Sequence, residues 1–200
     1  MTTDTSPEFC ARLLDVIEGD IVPLTRAGVA SGNKLFGAAI MRKSDLSLVI
    51  AATNAETENP LNHGEISTLN AFYKLPAGER PATQDCVFIS THEPCSLCLS
   101  AITWAGFDNF YYFFGYEDTR DAFNIPHDLK ILQEVFKVED GNYARKNAFW
   151  ECRDLIALSA EIGGDGAAAR TAQIESIRIA YDEMSETYQA SKSDNDIPLS

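Results

Sequence analysis

The chain has 200 residues, 45% hydrophobic and 23% charged, enough for one packed domain of ordinary composition. Sixteen Lys and Arg against thirty Asp and Glu leave a net charge of −14, which repels phosphate backbones and argues against nucleic acid as the main ligand. The opening "MTTDTSPEFCARLL" has neither a basic nor an apolar leader pattern, and no apolar run approaches the ~20 residues a membrane span needs. A soluble, cytoplasmic protein is expected.

Ser6, Pro7 and Glu8 form a helix start, and Phe9, Leu13, Val16 and Ile17 recur at helical spacing after it. That helix ends near Gly19 or runs on toward Gly28. Phe36–Met41 and Leu46–Ala52 read as the strands of a hairpin turning at Lys43-Ser44-Asp45. The polar loop "NAETENPLN" leads to "HGEISTLNAFYKL", a helix with Ile66, Leu69 and Phe72/Tyr73 on its apolar stripe. "CVFIS" is a short buried strand running into His92, Glu93, Pro94 and Cys95. "SLCLSAITWAG" is a helix stopped by Gly106, on whose apolar side Trp104 is expected to pack into the core. "NFYYFFG" is another buried strand. Strands alternating with helices predict an α/β layered domain with some parallel pairing.

Beyond residue 126 the pattern turns helical, with "YARKNAFWECRDLIALSAEIGG" and "AAARTAQIESIRIAYDEMSETYQ" expected as two helices joined at Gly163–Gly166. The resulting division is a main domain over 1–140, a helical extension over 141–190 packed on the same domain, and a frayed tail over 191–200.

Cys95 and Cys98 could be a disulfide, a redox couple, a structural zinc clamp or part of a catalytic metal site. Five cysteines, at 10, 86, 95, 98 and 152, are an odd and scattered set in a chain too long to need staples. At i and i+3 on a first helical turn, both thiolates reach one ion, favoured by the helix N-terminus. His63 is the candidate third ligand, and Glu65 stands two residues on. A structural site wants four ligands, yet there is no second cysteine pair and His92 is the only candidate fourth. A redox motif has no use for His-x-Glu. The catalytic-zinc reading therefore comes first, with His92 outside the ligand set. The His63-Gly-Glu65 and Pro94-Cys95-Ser-Leu-Cys98 pair resembles the signature of zinc nucleobase deaminases, which implies hydrolytic deamination: water activated at the metal attacks a ring carbon bearing an amino group, and Glu65, beside the ligands without being one, shuttles the protons.

"HGEISTL" followed by "EPCSLCLSAITWA" resembles the cytidine deaminase-like superfamily, in particular its nucleobase deaminases and transfer-RNA adenosine deaminases. The first motif is similar to fungal cytosine deaminase and the second to guanine deaminase, and the resemblance spans about residues 6 to 140. It implies a three-layer α/β/α fold with a five-stranded mixed sheet, a Zn2+ cofactor and a homodimer. It also implies a base-contacting asparagine at Asn54, and makes Phe114, Tyr116 and Asp128 candidates for closing the pocket. The expected substrate is a small base or nucleoside of the cytosine or guanine kind. Transfer-RNA adenosine deamination is the alternative that the acidic charge opposes. A non-catalytic zinc module is the alternative that Glu65 opposes.

Overall fold

A computed structural model describes residues 5–199; residues 1–4, the start of the stretch read as lacking a leader, and Ser200 of the expected tail lie outside them. Ser6 caps α1 (Pro7–Val16), its side chain accepting from the Phe9 N–H, and the helix continues through a π-helical turn (Ile17–Ile21) into α2 (Val22–Ala30). The hairpin follows as β1 (Gly37–Arg42) and β2 (Leu48–Thr53). Then come α3 (Gly64–Lys74), β3 (Cys86–His92), α4 (Ser96–Ala105), β4 (Asn109–Phe114), α5 (Tyr116–Asp121) and α6 (His127–Phe136). The chain closes with β5 (Glu151–Asp154), α7 (Leu155–Ile162) and α8 (Ala167–Ser191).

The sheet has five strands in the order β2-β1-β3-β4-β5; β1 is antiparallel to both its neighbours, while β3, β4 and β5 run parallel. It is the mixed sheet expected of the α/β class. Alternation along the strands sorts the core into two layers. Val87, Ile89, Tyr111 and Phe113 face α1, α2, α7 and α8, whereas Phe88, Phe110 and Tyr112 face α3 and α4 with Phe72 and Ile102. Among the described residues no helix is long and apolar enough to cross a membrane.

Two sequence expectations are corrected. The stretch read as a helix from Tyr143 opens instead with an irregular segment and β5, and only Leu155–Ile162 is helical. Trp104 is not a core residue but 91% exposed. Cys98 and Ile102 define the buried stripe of α4, and a residue two positions past Ile102 lies about 200° round the helix from it. After α8, the Asn195 amide donates to the Gly32 carbonyl at 3.0 Å and Ile197 is buried.

Candidate active site

The site forms at the carboxyl ends of β3 and β4, the end of a parallel array where α/β proteins place ligands. His63 is the N-cap residue of α3 and Cys95 the N-cap residue of α4, so both helices open at the same point. His63 Nδ1 lies 3.4 Å from Cys95 Sγ and 3.7 Å from Cys98 Sγ, and the three ligand atoms fall within 4.8 Å of one another. Ordinary Zn–S and Zn–N bonds at a tetrahedral angle put sulfur and nitrogen about 3.6 Å apart. The trio therefore fits Zn2+ in both donor chemistry and spacing. Hydrogen bonds from Cys98 and His63 hold the Cys95 thiol well below its usual range. Burial lowers the His63 pKa, but the Cys95 thiolate and the carboxylates of Glu65 and Glu56 override it and raise it to about 9. This is an electronegative nest suited to a dication.

Glu65 is buried in the first turn of α3; its Oε1 accepts from Ser90 Oγ at 2.9 Å and its Oε2 lies 3.2 Å from Cys98 Sγ. Burial raises its pKa. The narrow cleft beside the trio, about 10 Å³, is lined by Phe36, His63, Glu65, His92, Glu93, Cys95 and Asp128. Asp128, in the first turn of α6, is thus brought to the site from 33 residues beyond Cys95, and burial pushes its carboxyl up to about 8. A larger cavity of about 430 Å³ lies among Phe9, Leu46, Val87, Tyr111 and Phe149, at the other end of the strands and away from this cluster.

The other candidates are placed differently. Asn54 is buried and its Nδ2 donates to Glu56 Oε2 at 2.6 Å; it does not line the cleft. Phe114 does not line it either, because its ring stacks behind His92, 4.9 Å between centroids, and against Phe123 and Tyr181. The Tyr116 hydroxyl donates to the Pro94 carbonyl at 2.6 Å, bracing the turn that carries Cys95.

Two supporting groups escaped the sequence reading. Glu56, in the polar loop before His63, pairs with buried Lys34 at 2.9 Å and lies 3.8 Å from His63 Nε2, so it orients the face of the imidazole turned away from the thiols. Glu93 accepts from the Tyr143 hydroxyl at 2.8 Å, Arg145 Nη2 at 2.7 Å and the Tyr116 N–H at 3.2 Å. Its place beside Pro94-Cys95 was the available signal. The partners of neither group are neighbours in sequence.

Residues 22–114 match the model of the cytidine and deoxycytidylate deaminase zinc-binding region, a span that contains the trio and Glu65. The match takes in just under half of the chain, and over that stretch the chain resembles the cytidine deaminase-like superfamily. Among solved structures, guanine deaminase from Nitrosomonas europaea is 20% identical, with a TM-score of 0.50 over 90% of this chain and 87% of that one. The protein NE0047 in complex with 2,6-diaminopurine is 19% identical, with a TM-score of 0.50 over 92% and 90%. A deoxycytidylate deaminase from cyanophage S-TIM5 is 17% identical, with a TM-score of 0.42 over 74% and 98%. At such identities the first two likenesses are likenesses of fold. No curated protein matches the chain.

Proposed function

We propose that the chain is a zinc-dependent hydrolytic deaminase of a small free nucleobase or nucleoside. The observation that supports this most is Glu65, a buried carboxylate tethered by Ser90 and facing the same cleft as His63 and Cys95. In this reading His63, Cys95 and Cys98 hold the ion, which when bound supplies the Lewis acidity that makes water a nucleophile at neutral pH.

The protein's own task is proton traffic. Glu65 takes a proton from water as a C–O bond forms at the amino-bearing ring carbon, and gives it to the neighbouring ring nitrogen. It then moves the proton of the new hydroxyl to the amino group, so that ammonia leaves and a carbonyl remains. A raised pKa suits a group that must both take and give a proton near neutrality. Ser90 anchors one carboxylate oxygen and holds the other beside Cys98 Sγ, next to the ligand trio. Asp128 is assigned the edge of the base.

A small substrate is supported by charge. Among the described residues none lining the cleft is Lys or Arg, and nearby Lys34 is paired with Glu56. Ammonia release should be measured across free bases, nucleosides, nucleotides and a transfer-RNA anticodon stem. Turnover of a base or nucleoside is expected; turnover of folded RNA alone would overturn the reading.

A further inference from the structure

His92 ends β3 and lines the cleft with Glu65 and Asp128, yet the metal-type cluster found among the described residues does not include it. Its ring is 4% exposed and boxed by Phe36, Phe114, Phe123 and Tyr181 at centroid distances of 4.5, 4.9, 5.2 and 5.4 Å. The Nδ1 atom lies 3.0 Å from Thr91 Oγ1.

Hydrogen-bond bookkeeping assigns the tautomer. The Thr91 hydroxyl accepts from the Gly37 N–H at 3.0 Å and gives its one proton to the Gly37 carbonyl at 3.1 Å. With that proton on the carbonyl a lone pair faces His92, and Nδ1 then carries the ring proton and donates it. Nε2 is then a bare acceptor, buried and without a partner among the described residues. Burial also keeps the imidazole neutral. An unmet buried acceptor is rare and destabilising, and in a cleft it calls for a donor from outside the chain.

We propose that His92 is a specificity-determining residue whose Nε2 accepts a hydrogen bond from an N–H of the bound heterocycle. The inference rests on the deaminase reading above. The ligand that complements His92 Nε2 is a heterocycle carrying a ring N–H donor besides the amine that is lost.

Two measurements test this. On zinc-loaded wild type without ligand, nitrogen-15 NMR of the imidazole should show the Nδ1–H tautomer; an Nε2–H tautomer overturns the proposal and requires no variant to fold. Replacement His92→Phe keeps an aromatic ring in the box and should keep zinc, while kcat/KM for the best base falls about 10- to 100-fold. The same base methylated on the N–H that meets His92 should be a poor wild-type substrate and lose little more in His92→Phe. Undiminished kcat/KM in a zinc-replete His92→Phe sinks the assignment. Zinc-replete wild type that deaminates nothing in the panel counts instead against the deaminase reading, and the role of His92 falls with it.

Discussion

Gly64 rests on Gly37, backbone against backbone: a Cβ at Gly64 would stand 2.7 Å from the Gly37 Cα, 2.9 Å from its nitrogen and 2.8 Å from the Phe36 carbonyl oxygen. This contact seats the first turn of α3 on the end of β1 and so sets the height of His63 and Glu65 on either side. Gly64→Ala must push the helix off the strand, because backbone cannot yield as a side-chain tip can. We expect a stability loss of about 1–3 kcal/mol and weakened zinc retention. Gly78→Ala, where nothing lies within 4 Å, is the control and should be near neutral. Thermal unfolding with metal analysis decides; wild-type behaviour of Gly64→Ala would show the seating to be irrelevant.

Metal content should depend on the trio and not on its neighbours. Metal analysis of Cys95→Ser should show most of the zinc gone, whereas His92→Ala should keep it. Glu65→Ala should keep zinc and fold yet lose turnover by at least 10²- to 10⁴-fold, the usual worth of a proton-transfer group. Zinc retained in single variants of all three ligand positions would remove the metal assignment.

Salt should separate substrate classes. Turnover of a free base should change little with ionic strength, since the cleft lining contributes no Lys or Arg to attract phosphates. Binding to RNA, where any occurs, should weaken by roughly one unit of log affinity per log salt for each phosphate neutralised. A steep salt dependence with a free base would contradict the expectation.

Acid should find His92. Burial holds its folded pKa well below 6.5, so in acid the unfolded chain takes up a proton that the folded chain refuses. The stability it contributes is complete above pH 6.5 and declines as pH falls below that value. Relative to His92→Phe, the zinc-loaded wild type should lose up to about 1.4 kcal/mol per pH unit in that range. Denaturant titrations at pH 7.5 and 5.5 give the comparison; parallel curves would mean that His92 titrates normally.

Trp104 at 91%, Tyr73 at 47% and Leu97 at 38% exposure belong to α3 and α4, and the Tyr73 hydroxyl donates to the Ala105 carbonyl at 3.2 Å beside Trp104. Such a patch is expected to be covered by a second copy of the chain. Sedimentation should report a dimer for wild type and a smaller species for Trp104→Glu. A monomeric wild type would leave the patch without that explanation.

The parts legible in the sequence were those set by short spacings. Cys95 and Cys98 share one helical turn, Glu65 follows His63 by two residues, and the hairpin is two apolar runs joined by a polar turn. Less was legible where a signal was diluted or non-local. α4 is apolar nearly all round, so no stripe told Trp104 from Ile102. β5 is only four residues long with charges at Glu151, Arg153 and Asp154, a pattern that a helix fits as well. Lys34 with Glu56, and Glu93 with Arg145, are joined only by the folded chain.

The outer edge of β4 is covered by Glu151–Asp154 alone, four residues that the ribosome delivers 37 positions after Phe114. Until they emerge, a growing chain carries the sequence Asn-Phe-Tyr-Tyr-Phe-Phe with its parallel edge unpaired. That is the kind of aromatic edge on which nascent chains stick to one another. The charged residues of β5 then act late in synthesis, as the piece that ends this exposure. The yield of soluble protein should therefore respond to the pace of translation between residues 114 and 154 more than to pace anywhere upstream.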